Sequence, residues 1–339
     1  MKKNIRRAIG AVVLIVAIGW AVHGVDFETV FQTWGNANQW LLLAVLGLTS
    51  ADLLLRALAW KVTIDPMKHA PLKHVLPSYL IGMFSNVVLP LKLGDVAGSY
   101  YLGRSEHMSK AAVLSTAVIQ RVFEGFTLLF VIVWVAMLSS LPFLVQRGMV
   151  LFAVVVASAG GIMYAAVVNR QRIVRIVTFV LKRHLRRFSE QVPELLHSMF
   201  LGATAIRNAR VVITIVLLHL CSWSVQIAMV KLTADALHIE LDVLAAAVVL
   251  IVVNIGIMIP LSPGNLGTYQ LLFILALSLF TVGKSRALGF GVLYQVVQGV
   301  PVVVGGALSL LLATMRGNDD EPDLGNLPGR TRFNRQVGD

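Results

Sequence analysis

Asn86-Val-Val-Leu-Pro90-Leu91-Lys92-Leu93-Gly94-Asp95 and Asn254-Ile-Gly-Ile-Met-Ile-Pro260-Leu261-Ser262-Pro263-Gly264-Asn265 decide the reading of this chain. Each stretch carries Pro-Leu, two residues, glycine and then Asp or Asn, inside a run otherwise apolar enough to sit in lipid. Proline removes a helix hydrogen bond and glycine loosens the backbone, so a helix is expected to stop or turn at each. Broken helices at membrane depth survive only where protein or a wet cavity satisfies the freed backbone groups. Paired Pro/Gly interruptions in two halves of a membrane protein point to a transporter's binding site. Pro90, Gly94, Pro260, Pro263, Gly264 and Gly267 are therefore candidate hinge or gate positions.

Outward from these breaks, the 339 residues are 57% hydrophobic and only 14% charged. Together with a mean hydropathy of +0.78, this predicts an all-α polytopic membrane protein. Residues 1–316 are expected to form one transmembrane domain, with 169–210 as a cytoplasmic basic amphipathic segment and 317–339 as a disordered cytoplasmic tail. Neither extramembrane piece is large enough to bury a catalytic core. The formal charge of +12 is read as topology, through Lys and Arg held on the cytoplasmic side. Nucleic-acid binding is the weaker reading, because no basic segment is interleaved with aromatics. The single cysteine, Cys221, excludes a disulfide within the chain and is expected to pack within its helix.

About six full spans are expected: 8–25, 40–60, 110–141, 149–168, 211–231 and 287–314. Residues 75–103 break at Pro90–Gly94, and the returning arm is too short to cross, so a re-entrant hairpin from the cytoplasm is predicted. Nine Lys or Arg between 169 and 210 place that segment inside. Residues 243–280 hold the second break, as a hairpin from outside or as two thin spans. Two breaks entering from opposite faces are the pattern of an inverted repeat. Both termini are then cytoplasmic, in the cell inner membrane.

Ionisable residues near the bilayer centre are costly unless paired or hydrated, and here they gather. Asp52, Arg56 and Trp60 share one face of the second span at i, i+4, i+8. Gln120, Arg121 and Glu124 lie about 15 Å into the third by helical rise. The first break adds Asn86, Lys92 and Asp95; the second adds Ser262, Asn265 and Gln270, and the last span adds Gln295. These are the candidate substrate-binding residues. Simple structural pairing (Asp52 with Arg56, Glu124 with Arg121, Asp95 with Lys92) accounts for any one pair as well as a site does. For the whole set beside two broken helices, a hydrated cavity is the better account. Arg56, Lys92 and Arg121 suit phosphate, which Arg grips with two bonds, and half-helix N-termini add to that attraction. His219 reads as a hydrogen-bonded structural histidine. Walker, dinucleotide, zinc-protease and serine-hydrolase motifs are not found; no catalytic residue, metal site or cofactor is assigned, and the chain is not read as an enzyme.

At these residues the chain resembles the flippase-like membrane domain family, whose best-known member is the transmembrane region of lysylphosphatidylglycerol synthases. The resemblance covers about residues 8–314 and rests on Arg56-x-x-x-Trp60-Lys61 and on Asn86-x-x-x-Pro90-x-Lys92-x-Gly94-Asp95. It rests further on Arg121 with Glu124 and on Pro260-x-Ser262-Pro263-Gly264-x-x-Gly267. It implies a bacterial inner-membrane protein that moves a polar lipid headgroup, in phospholipid, hopanoid or polyprenyl-linked lipid traffic. The synthase's aminoacyl-transfer domain has no counterpart in these residues, so lipid aminoacylation is not implied. Four positions depart from the family's usual charges. Gln120 stands for Glu, Gly98 for Arg, Gln270 for Glu and Gln295 for Arg.

The resulting expectation is a flippase for an anionic phospholipid, polyprenyl or hopanoid-type lipid, using a polar cavity between the two hairpins. Its partners would be membrane lipids, with a homo-oligomer or a lipid-synthesis protein as a compatible assembly. A secondary transporter of a small soluble anion and an integral-membrane lipid transferase, with Asp95 or Glu124 as base, are the alternatives.

Overall fold

A computed structural model describes residues 27–88, 93–138, 143–169, 208–257 and 267–317. All regular structure in them is helical: α1 Phe27–Gly35, α2 Gln39–Ile64, α3 Leu72–Val88, α4 Gly94–Ser105, α5 Lys110–Leu138, α6 Phe143–Val168, α7 Ala209–Ala236, α8 Val243–Gly256, α9 Thr268–Ser278 and α10 Lys284–Gly317. The expected span 8–25, nearly all of the basic segment and the tail from 318 lie outside the described residues.

Among the described residues, four helices are long and apolar enough to cross a membrane: α2, α5, α7 and α10. At 1.5 Å per residue, the 26 residues of α2 exceed a hydrocarbon core of about 30 Å. The helix starts are set by short polar side chains. Asn38 Oδ1 accepts from the Trp40 amide at 3.0 Å, and Asp242 Oδ1 accepts from the Ala245 amide at 2.6 Å, satisfying amides that no helical carbonyl can reach. Along α2 the residues Val45, Thr49, Leu53, Ala57, Trp60 and Ile64 are buried, a single stripe at helical spacing. The opposite faces stay apolar: Phe130, Trp134 and Met137 of α5 are exposed, as befits a lipid-facing surface rather than an aqueous one. Cys221 is exposed as well. It falls in line with the exposed Ile213 and Leu217 of α7, two and one turns earlier on the face turned from the core, which corrects the expectation that it packs inside.

Between the long helices lie two pairs of short ones. The 12 residues of α4, 14 of α8 and 11 of α9 are each too few for a crossing of roughly 20 residues. Arms α3 and α4 meet backbone to backbone. A side chain on Gly94 would stand 2.0 Å from the Gly82 carbonyl oxygen, and one on Gly98 2.9 Å from that of Ser78. Small residues four apart permit this approach. The ends of the pair distant from the break are tied by His74 Nδ1 against Glu106 Oε1 at 2.5 Å.

The order long helix, short pair, long helix thus occurs twice, as α2–α3/α4–α5 and as α7–α8/α9–α10. Packing follows the same pattern. The leading helices α2 and α7 lie against each other, α3 packs on α10, and α8 packs on α5, so each short pair leans on the closing helix of the other half.

Candidate functional site

Where α3 and α4 meet α2, α5 and α7, a cleft holds about 460 Å³ of empty space, part of it open to the surroundings. Helix periodicity delivers its charges. Four-residue spacing aligns Asp52, Arg56 and Trp60 on α2, and three-residue spacing aligns Arg121 with Glu124 on α5. Asp95 enters from the first turn of α4, where the positive end of the helix dipole favours a carboxylate.

These side chains form one chain of alternating charge. Arg56 Nε donates to Asp52 Oδ2 at 3.1 Å, and Arg56 Nη1 donates to Glu124 Oε1. Arg121 Nη1 donates to Glu124 Oε2 at 3.0 Å. The other edge of Arg121 grips Asp95 with two bonds, Nη2 to Oδ1 at 2.9 Å and Nε to Oδ2 at 3.2 Å. Asp52 also accepts from the Ser222 hydroxyl, with Gln226 Nε2 at 3.5 Å. Burial is graded along the chain: Asp52 and Arg56 side chains are 13% exposed and Glu124 19%, against 43% for Arg121 and 38% for Asp95. One end is a sealed network; the other opens on the cleft.

A neutral branch runs beside it. Gln120 Nε2 donates to the Ala59 carbonyl at 2.6 Å and to the Thr63 hydroxyl. Its Oε1 lies 2.7 Å from His219 Nε2. Since an amide oxygen only accepts, the ring proton is on Nε2; His219 is hydrogen-bonded, as expected, and it also lines the cleft. Buried polar groups left alone cost about 1–3 kcal/mol. Gln120→Leu, which strands His219 Nε2 while the Ala59 carbonyl keeps the Thr63 hydroxyl at 2.9 Å, is therefore expected to lower stability by about that amount in a thermal melt of the detergent-solubilised protein. Two indoles hold the walls in place: Trp60 Nε1 donates to Thr116 at 3.0 Å and Trp223 Nε1 to Thr127 at 3.1 Å.

Of the residues singled out from sequence, Arg56, Gly94, Asp95, Gln120, Arg121 and Glu124 all line the cleft. Asn86 does something else: its Oδ1 accepts from the Gly94 amide at 2.8 Å, closing the α3/α4 turn. Gln270 and Gln295 are not part of that lining. Gln270 Oε1 accepts from the Gly267 amide at 2.8 Å, and its Nε2 donates to Gln295 Oε1 at 2.6 Å. Gly267 itself starts α9 at φ 76°, which glycine adopts without strain. Pro90, Lys92, Pro260, Ser262, Pro263, Gly264 and Asn265 lie outside the described residues.

The four departures from the family pattern acquire a physical form. Gln270 and Gln295, two of these positions, bond to each other as a neutral amide pair. Gln120 is satisfied on three sides. Gly98 sits so close to α3 that any side chain there needs the pair to part. Tyr79 also lines the cleft, its ring 6.2 Å from that of Trp60. Sequence reading missed it, although its place two turns before Asn86 on α3 puts it on the face that turns towards the break.

Residues 7–306 match the family described as the lysylphosphatidylglycerol synthase TM region, and the chain belongs to that family. It is similar to the UPF0104 membrane protein MJ1595 of Methanocaldococcus jannaschii, 22% identical over 305 residues that cover 85% of this chain and 89% of the relative. It is also similar to the UPF0104 membrane protein MJ1078 of the same organism, 24% identical over 233 residues, 67% of this chain and 92% of that one. No solved structure matches it.

Proposed function

We propose, from this family membership and the cleft's geometry, that the protein moves a phosphoryl-bearing lipid headgroup across the bilayer. The headgroup passes through the cleft while its acyl or prenyl chains remain in the surrounding lipid. The barrier to unassisted crossing is desolvation of the polar headgroup, and a line of fixed charges within the spanning helices lowers it. The observation that carries this reading is the half-exposed Arg121 facing the cleft, a fork suited to two oxygens of a phosphate.

In this reading the α3/α4 and α8/α9 pairs are re-entrant hairpins from opposite faces, related as an inverted repeat. The chain then has six spans in a cell inner membrane, with both ends on the cytoplasmic side where the basic segment belongs. The substrate is an anionic phospholipid or a polyprenyl- or hopanoid-type lipid. The protein acts as a transporter rather than an enzyme, and its movement is passive, gradient-coupled or assisted by a partner.

The test is translocation of labelled phosphatidylglycerol and a labelled polyprenyl phosphate in liposomes containing the purified protein, with and without imposed ion gradients. Protein-dependent movement is expected, with Arg121→Gln slowing it by roughly 10- to 100-fold, the worth of a charge-assisted bond. Liposomes in which neither lipid moves would overturn the reading. Uptake of a soluble anion that ignores lipid composition would favour a secondary anion transporter instead.

A further inference from the structure

The two guanidiniums of the cleft are not equivalent. Arg56 is divided between two half-buried carboxylates, Asp52 and Glu124, and Asp52 is itself tied to Ser222 of α7. Removing either carboxylate strands charge in a sealed place. Arg121 spends one edge on Glu124 and the other on Asp95. That second contact is the side-by-side, two-bond arrangement in which arginine also takes phosphate. It is the most exposed link of the chain, at 43% and 38%, and so the one that a ligand in the cleft can reach. An arriving phosphoryl group therefore meets a fork of the right shape that is already filled by a carboxylate of the protein.

We propose that Asp95 is a built-in stand-in for the substrate's phosphoryl group, and that this group takes the outer edge of Arg121 by displacing it. The proposal rests on the headgroup reading of the cleft and names the residue that both competes for the site and senses its occupation. Among the described residues, Arg121 with Asp95 makes the side-chain hydrogen bonds between α4 and α5. On its other side α4 is held to α3 by the glycine contact and by the Asn86 bond to Gly94. Displacing Asp95 thus frees the break-side end of α4 from Arg121, while Lys110 of α5, 4.0 Å over the Tyr100 ring, still holds its far half. Occupation of the fork and movement of the short-helix pair become one event, because a ligand shifts an equilibrium by its preference for one state.

Two titrations of the full-length protein in detergent test this, one with short-chain phosphatidylglycerol and one with inorganic phosphate. Asp95→Asn removes the competitor, so either ligand that binds is expected to do so about three- to tenfold more tightly than in the unsubstituted protein. Arg121→Gln is expected to abolish binding, and the double variant to behave as Arg121→Gln does. Response to the lipid alone identifies a headgroup site, and response to both identifies any accessible phosphoryl group; each supports the exchange. Weakened or unchanged binding in Asp95→Asn overturns it, even where liposomes still translocate lipid. Conversely, tighter binding without any translocation upholds the exchange and sinks the flippase reading. A second measurement needs no change at Asp95. Spin labels on Val96→Cys of α4 and Val118→Cys of α5, both exposed positions, in a Cys221→Ser background, should move apart when short-chain phosphatidylglycerol is added. An unchanged distance overturns the untying.

Discussion

Arg56→Ala is expected to be the most damaging single substitution in the charged network, lowering stability by about 3–5 kcal/mol, as when one partner of a buried pair is removed. Asp52, 13% exposed, would lose its counter-charge, and Glu124, 19% exposed, one of its two. Arg121 reaches only one oxygen of Glu124 and cannot serve Asp52, so the network has no spare cation within it among the described residues. The guanidinium also stands 5.8 Å from the centre of the Trp223 ring, a contact that alanine abandons too. Unfolding of the detergent-solubilised protein, followed by tryptophan fluorescence, measures the loss. Arg121→Gln should cost far less in the same assay, because its outer partner Asp95 can hydrate. Equal losses for the two variants would refute the division of this network into a sealed half and an exchangeable half.

Gly94→Ala is the second large effect. The added carbon would lie 2.0 Å from the Gly82 carbonyl oxygen and 2.5 Å from the Asn86 side chain, and the first of these obstacles is backbone that cannot rotate away. Relief requires α3 and α4 to separate, which carries Asp95 away from Arg121. A cost of about 3 kcal/mol, at the upper end for overpacking, is expected, together with loss of lipid movement in the liposome assay. Gly47→Ala is the matched control, since a side chain there meets nothing within 4 Å and alanine favours the helix by about 1 kcal/mol over glycine. Wild-type transport by Gly94→Ala would mean that close contact of the two arms is irrelevant to function.

How much of this was legible in the residues differs from one part to the next. Helical spacing alone aligned Asp52 with Arg56, and Arg121 with Glu124, because neighbours on one helix face follow from local geometry. The same spacing could not say that Arg56 reaches across to Glu124, or that Asp95 faces Arg121. Asn86 looked like a ligand-binding group because it stands beside a break; its use as a cap for the Gly94 amide depends on how the chain returns. Gln270 and Gln295 appeared as two separate lost charges, and only the tertiary structure shows that they bond to each other, at 2.6 Å. Tyr79 carried no motif and so went unremarked.

By itself the sequence determined the solvent, the element type and the places where helices stop: apolar runs too long for a soluble core, interrupted by proline and glycine. Those properties reside in single residues and their near neighbours, and lipid leaves a chain little choice but to close its hydrogen bonds within helices. Tertiary structure alone decided which helices touch, that α2 lies on α7 while each short pair leans on the far half, and which carboxylate answers which guanidinium. Such pairings are settled by close approach of small residues and by charges seeking partners across helices, distances that no spacing along the chain encodes.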